Sequence, residues 1–165
     1  MIFVTVGTHE QQFDRLVEYM DKLALDEEIN EEIIIQTGYS EYEPENCAFK
    51  KMYSATEMKE LVKKARIVIT HGGPSSFMSV LSEGKVPIVV PRMEKYKEHV
   101  NDHQLRFCKT VKERYNSIIL VDDITKLKNI ILLYDEHTKN LSNTTTNHNE
   151  LFCKRFSEVV EGLFS

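Results

Sequence analysis

Short apolar runs alternate with helical apolar stripes along this chain of 165 residues. The runs are rich in β-branched residues, as buried strands are, and the stripes repeat at the spacing of one helical face. Parallel strands joined by crossover helices produce this alternation, so it predicts an α/β domain with a parallel sheet. We predict strands over residues 2–6, 33–35, 47–49, 67–70, 86–91 and 117–121, and helices over residues 13–24, 55–65, 77–84, 100–111, 124–134 and 152–163.

Strands and helices in this order favour a Rossmann-like, doubly wound sheet. In its usual strand order, 3-2-1-4-5-6, the first and fourth strands are neighbours, and a crevice opens between their carboxyl ends. Gly7-Thr8-His9 follows the first strand and His71-Gly72-Gly73 follows the fourth. We therefore expect these two turns to face each other across the crevice. The Asn- and Thr-rich segment Thr138–Asn149 shows no apolar face and is predicted to be a loop.

Composition excludes several classes of protein. The formal net charge of −5 argues against binding to the phosphate backbone of DNA or RNA. The N-terminus has no basic segment before its short apolar run, and no long apolar stretch follows, so we expect a cytoplasmic chain. Its three cysteines are far apart in sequence, which predicts reduced thiols rather than a disulfide framework or a CxxC motif.

The Gly72-Gly73 turn before a helix suits an anionic group. Glycines let a backbone approach closely, and the first N–H groups of a helix favour negative charge, which makes a diphosphate a natural guest. Taken alone, such a pair is equally well explained as a tight turn, but Gly7-Thr8 at the same predicted crevice favours binding. The chain contains neither the P-loop pattern nor GxGxxG, and it has no GxSxG nucleophile elbow.

Residues 98–104, Glu-His-Val-Asn-Asp-His-Gln, form a polar cluster after the fifth strand. Asn101 or Asp102 is also explained as a helix N-cap. Gln104 lies too far into the helix to cap it, and its amide suits the hydroxyls of a sugar. His99 and His103 have the i, i+4 spacing of metal ligands but lack a third ligand at a recognisable spacing, so no metal site is predicted.

Three segments together resemble a known family: VTVGTHEQQFDRL, VITHGGPSSFMSVLSEGKVPIVVPR and EHVNDHQ. They are similar to the C-terminal, donor-binding half of glycosyltransferase family twenty-eight. Within that family they look most like the small PssE-type subunits of two-part bacterial capsule and exopolysaccharide glycosyltransferases. The soluble subunit of the eukaryotic dolichol-linked GlcNAc transferase is similar as well. The resemblance covers roughly residues 2 to 111.

The resemblance implies one domain over residues 1–165, half of a GT-B architecture, that binds a UDP-sugar without a cofactor. His9 and His71 become candidates to donate to phosphate, while the catalytic base is expected in a partner. The implied diphosphate contacts are Gly7, Thr8, Gly72, Gly73, Ser75 and Ser76; Asn101 and Gln104 would lie near the sugar hydroxyls, and Tyr53 and Ser54 beside the uracil.

The chain departs from the family pattern at one position. Many relatives carry a glutamate, which holds the ribose hydroxyls, seven residues before the proline that matches Pro87. That count leads to Val80 in this sequence. Glu83, one helical turn further on, does not simply inherit the role. Ribose recognition is therefore the least supported part of the implied site.

The resemblance also implies a second polypeptide, because a complete GT-B enzyme has an N-terminal acceptor-binding domain for which 165 residues leave no room. In related two-part enzymes a membrane-anchored subunit recruits the donor-binding one to a lipid-linked acceptor. We expect an inverting transfer of a hexose, with galactose as one candidate. Leu151 and Cys153 on the last helix extend its apolar character, which fits docking to a partner or packing on its own core. A non-catalytic scaffold and a nucleotide-sensing module are the alternatives.

Overall fold

A computed structural model describes residues 1–145 and 149–164. All neighbouring strands are parallel, and their order is β3-β2-β1-β4-β5-β6, as predicted. The sheet therefore confirms the Rossmann-like, doubly wound α/β fold. The strands are β1 (Ile2–Thr5), β2 (Ile33–Gln36), β3 (Ala48–Lys50), β4 (Ile67–His71), β5 (Ile88–Val90) and β6 (Ile119–Leu120).

Helices follow the strands and cover both faces of the sheet. They are α1 (Asp14–Leu23), α2 (Ala55–Lys64), α3 (Pro74–Ser82), α4 (His103–Tyr115), α5 (Leu127–Leu132), α6 (Tyr134–Thr145) and α7 (Asn149–Phe164), with 3-10 turns at Glu94–Tyr96 and Ile124–Lys126. None of the helices within these described ranges is long and apolar enough to span a membrane.

Local sequence sets several of the helix ends. Ser54 and Glu57 form a reciprocal capping box at the start of α2, as the sequence predicts. The other end of α2 is closed by Lys85, whose Nζ donates to three main-chain carbonyls at 2.5–2.6 Å. The side chain of Asp123 accepts from the Thr125 N–H and caps the 3-10 turn before α5.

Alternate residues of the buried strands pack on opposite faces of the sheet. In β1, Ile2 and Val4 join the larger core with α1 and α5, whereas Phe3 packs with Val62 of α2 on the other face. A third cluster joins α3, α4 and α7 through Phe77, Phe107 and Phe156. The sheet is thus buried on both sides, as a parallel sheet requires.

Several predicted boundaries are wrong, and one predicted loop is a helix. Helices α3 and α7 begin three residues earlier than predicted, and β5 and β6 are shorter than the predicted strands. The segment predicted as one helix over 124–134 is a 3-10 turn followed by α5, which ends at Leu132. The predicted loop over 138–149 is mostly α6, because Tyr134 and Leu141 both reach the core from one face of that helix. Helix α4 begins at His103 rather than near residue 100. The proposed docking residues Leu151 and Cys153 lie outside the described side chains.

Candidate functional site

A cleft of about 410 Å³ opens at the carboxyl ends of β1 and β4, where the strand order reverses. Both predicted turns border it, so the sequence correctly places them on either side of a crevice. Eight predicted site residues line the cleft: Gly7, Thr8, His9, Tyr53, His71, Ser75, Ser76 and Gln104. Four further lining residues had not been predicted: Thr5, Gln36, Ala55 and Met58.

The ring of His71 lies between the two glycine turns. A Cβ on Gly7 would lie 2.3 Å from its Nε2, and a Cβ on Gly73 would lie 2.2 Å from its Cε1. Both distances are far below van der Waals contact, so the ring occupies the space that any larger residue needs. Gly7 also has φ of 76°, which favours glycine in its own right. The two glycines are thus required by the packing of His71.

Hydrogen bonds fix the protonation of His71. The Gly73 N–H donates to its Nδ1 at 3.0 Å, so this nitrogen carries no proton. Burial, aided by the charge of Arg92, lowers the pKa of His71 to about 3 and keeps the ring neutral. The proton therefore resides on Nε2, which donates to Ser76 Oγ at 2.8 Å. Because this hydroxyl accepts from His71, its own proton is available to an anion in the cleft.

Gln104 joins the ends of two strands. Its Oε1 accepts from the backbone N–H groups of Gly72 and Arg92, each at 3.1 Å. Two backbone donors on one atom identify that atom as the oxygen. The side chain therefore presents its NH₂ group, a pure donor, to the cleft, although the sequence had suggested an amide offering both donor and acceptor.

The glycine N–H groups of the turns already have acceptors in the chain. Gly7 N donates to Thr5 Oγ1, Gly72 N to Gln104, and Gly73 N to His71. The glycines therefore do not offer free N–H groups to a diphosphate, although the sequence had led us to expect them. The donors beside the start of α3 include the Ser76 hydroxyl and the Gln104 amide, and the hydroxyl-bearing residues Thr8 and Ser75 line the cleft as well.

Four predicted residues do not line the cleft: Gly72 and Gly73, whose N–H groups bind within the chain, and Ser54 and Asn101. Ser54 is engaged in the capping box of α2. The side chain of Asn101 is exposed and accepts from the His103 N–H at 2.9 Å, which is the capping role that the sequence also allowed. The carboxylate of Asp102 instead accepts from the Glu94 N–H at 2.8 Å.

Gln36, at the end of β2, supports the floor of the cleft. Its Nε2 donates to Thr5 Oγ1, and its Oε1 accepts from the Tyr53 N–H, both at 3.1 Å. It thereby holds the turn that carries Tyr53 against the end of β1. A buried polar residue at the end of a central strand was the signal in the sequence that could have identified it.

A second groove, of about 620 Å³, continues the cleft between α2 and α3. Ala55, Met58, Ser75 and Ser76 line both spaces. Val80 does not reach either one, because it is fully buried in the core behind α3. The residues of α3 that line the groove are Ser75, Ser76, Ser79 and Ser82, and Glu83, which follows the helix, lines it as well.

The rim opposite α3 carries two histidines. The rings of His9 and His99 lie with centroids 4.7 Å apart. Burial and the charge of Arg92 lower the pKa of both, aided by His99 in the case of His9 and by His103 in the case of His99, so the pair is neutral near pH 7. Within residues 1–145 and 149–164, no cluster of three or more His, Cys, Asp or Glu residues is arranged to hold a metal ion.

Two solved structures share this fold. A glycosyltransferase of kitacinnamycin matches with a TM-score of 0.67 and 14% identity over 97% of this chain and 42% of its own. The glycosyltransferase SnogD from Streptomyces nogalater matches with a TM-score of 0.52 and 14% identity over 96% of this chain and 43% of its own. The present chain thus spans less than half the length of either protein. At such low identity these similarities speak for the fold alone.

Family membership comes from the sequence. Comparison with curated proteins found no match. The family model "Glycosyltransferase family 28 C-terminal domain", however, matches residues 1–160, nearly the whole chain. The chain therefore belongs to the glycosyltransferase family 28 C-terminal domain family.

Proposed function

We propose that this chain, as a single domain over residues 1–165, binds the UDP-sugar donor of a hexosyltransferase. The observation that carries the proposal is the fixed, neutral His71, which turns the Ser76 hydroxyl toward the cleft as a donor. With the Gln104 amide and the start of α3, this donor faces the space where a diphosphate fits. Hydrogen bonds within the chain hold the side chains of Ser76 and Gln104, so these uncharged donors are in place before an anion binds.

The groove between α2 and α3 would receive the nucleoside. Tyr53 stands at the end of the cleft nearest to it, and its ring packs edge-on against Phe3. Ser79 and Ser82 donate their hydroxyl protons to main-chain carbonyls of α3 at 2.7 and 2.8 Å. Their oxygens remain acceptors for ribose hydroxyls, with Glu83 beside them.

In the transfer we propose, an acceptor hydroxyl attacks the anomeric carbon of the donor with inversion, and the bond to UDP breaks. Negative charge then grows on the diphosphate, and preorganised donors stabilise it most at that stage. The base that removes the acceptor proton would come from a membrane-associated partner subunit, which would also bind a lipid-linked acceptor in capsule or exopolysaccharide synthesis. This chain would then work on the cytoplasmic side of the membrane, held there by the partner.

The scaffold alternative loses one argument in the structure. A valine at position 80, where many relatives carry the ribose-binding glutamate, would favour a vestigial pocket if its side chain faced the cleft. Val80 is a core residue, so its identity carries no information about the pocket. A nucleotide-sensing module with the same cleft differs from the transferase in needing no partner and performing no transfer.

Thermal unfolding of the chain with a panel of nucleotides tests the proposal. A ligand at one hundred times its Kd adds about 2.7 kcal/mol, which raises Tm by roughly 5 to 10 °C for a domain of this size. We expect such a shift with UDP and UDP-sugars, a smaller one with UMP and none with ADP. Equal shifts with ADP and UDP would contradict the assignment of the donor.

Gly73→Asp separates the transferase from a scaffold. A carboxylate at this position repels a diphosphate and displaces His71, so hexose transfer by the chain reconstituted with its partner is expected to disappear. The matched control is Gly162→Asp, since no described atom lies within 4 Å of a Cβ at that position. Transfer that survives Gly73→Asp would favour the scaffold.

A further inference from the structure

A buried guanidinium lies beneath the cleft. Arg92 follows β5, and its side chain is fully buried. Its Nη2 donates to the carbonyl of Val6 at 2.7 Å, and its Nη1 donates to those of Gln11, Gln12 and Glu98 at 2.9–3.2 Å. These carbonyls come from both ends of the β1–α1 loop, which lines the cleft, and from the loop after β5, so one side chain ties these two loops together.

Among the described residues no carboxylate oxygen binds Arg92 directly, although the charge of Glu98 raises its pKa against the effect of burial. Both oxygens of Glu98, the buried acid nearby, bind Arg15, with Oε1 to Nε at 2.7 Å and Oε2 to Nη2 at 3.0 Å. Oε2 also accepts from the Met93 N–H. Two guanidiniums and one carboxylate leave a positive charge in excess. Arg92 Nε has no acceptor among the described residues.

The field of this charge extends into the cleft. After burial, the charge of Arg92 is the next cause that lowers the pKa of His9, His71 and His99, which lie on both sides of the opening. Burial lowers the pKa of Arg92 itself to about 10, so the guanidinium stays charged at neutral pH. Charges act over longer distances in a protein interior than in water, because little solvent screens them.

We propose that Arg92 is an electrostatic positioning residue of the donor site, whose buried charge attracts the diphosphate from beneath without touching it. This inference rests on the proposed function, because that function is what places a diphosphate in the cleft, within the field of Arg92. The histidines and the main-chain loops keep the guanidinium out of direct contact, while its hydrogen bonds hold the loops in place. Arg92 would thereby favour the more highly charged state that develops as UDP leaves.

Histidine titration by NMR in the free protein tests the charge without any ligand. In Arg92→Met we expect the pKa of His9 and that of His99 to rise, because the positive charge that lowers both is removed. In Arg92→Lys, which keeps the charge but cannot keep all four carbonyl contacts, both values are expected to stay close to wild type. Equal changes in the two variants would overturn the proposal.

Ligand binding by calorimetry then tests the effect on the donor. We expect Arg92→Met to weaken the binding of UDP by about tenfold, that of UMP by less and that of uridine hardly at all, because the loss of affinity follows the charge of the ligand. Equal losses for all three ligands would assign Arg92 a purely structural role. If wild type binds no UDP, the proposed function fails, whereas the histidine titration still decides whether the buried charge reaches the cleft.

A second variant gives the opposite sign should Arg92→Met not fold. Glu98→Gln removes the negative charge and retains an amide oxygen that can accept from Arg15 or Met93. The added net positive charge is expected to lower the pKa of His9 and His99 further and to tighten UDP. Unchanged or raised histidine pKa values in this folded variant would contradict the proposal.

Discussion

Gly73→Ala isolates the contact on which the site depends. Gly73 has φ of −74° and ψ of 128°, a backbone conformation that alanine adopts without strain. Its new Cβ would lie 2.2 Å from His71 Cε1, so the ring must move by roughly 1 Å to restore ordinary contact. That movement breaks the hydrogen bonds of the ring to the Gly73 N–H and to Ser76.

The expected cost follows from these losses. Each hydrogen bond contributes about 1 kcal/mol, and forcing a methyl group into a packed interior costs about 1–3 kcal/mol. We expect Gly73→Ala to lower the free energy of unfolding by about 3–5 kcal/mol and Tm by roughly 6 to 20 °C, measured by circular dichroism. Gly162→Ala, in open space on α7, is the matched control and should lower neither quantity, because alanine favours a helix more than glycine does.

A double-mutant cycle decides whether His71 is the cause. With the ring removed in His71→Ala, the additional cost of Gly73→Ala is expected to fall below about 0.5 kcal/mol. If Gly73→Ala costs as much without the ring as with it, the explanation of the paired glycines is wrong.

Four other changes have defined outcomes. Lys85→Met removes three hydrogen bonds at the end of α2 and should lower the free energy of unfolding by about 2 kcal/mol in urea titrations. Burial alone would raise the pKa of Asp21, but four hydrogen bonds lower this pKa below its usual value. The ionised side chain therefore stabilises the fold above about pH 4, and this stabilisation is lost as the pH falls through the lower pKa of the folded state. Asp21→Asn should lower the free energy of unfolding by about 2 kcal/mol at pH 7 and by less in acid. Burial lowers the pKa of His71 to about 3, so below about pH 6.5 the unfolded state binds a proton on His71 that the folded state does not bind. The free energy of unfolding of the wild type should therefore fall by up to about 1.4 kcal/mol per pH unit between pH 6.5 and 5. That of His71→Gln should fall by less, as urea midpoints at both pH values would show. Ser76→Ala should weaken UDP by about tenfold in calorimetry, whereas Ser157→Ala on the exposed face of α7 should not.

The sequence predicts the strand order and the meeting of the two turns because buried strands are distinct in composition. Unbroken apolar runs such as Ile67–Ile69 are typical of strands covered on both faces, and crossover geometry then limits the topology. Helix α6 was missed because most of its residues are polar. Its signal was the i, i+7 pair Tyr134 and Leu141, which lies on one helical face and becomes informative only when the core beneath it is known.

The role of the glycines could not be predicted from local pattern. Glycine before a helix suggests free N–H groups, but here the ring of His71 fills the space beside Gly7 and Gly73, and that contact joins two strands. Counting from a proline led to Val80, whereas the twist of α3 turns Val80 to the core and Ser79 to the groove. A shift of one residue along α3 therefore moves a side chain from the wall of the groove to the core.

The most direct test of the donor site is an NMR titration of the isotope-labelled chain with UDP. The account predicts the largest shifts for the backbone amides of Ser75 and Ser76 and for the side-chain NH₂ of Gln104, with smaller ones near Tyr53. It predicts none at the separate cleft beside α1, which Arg15 and Tyr96 line. Shifts confined to that cleft, or saturation of the chain with UDP without any shift at Ser76 and Gln104, would contradict the assignment of the donor site.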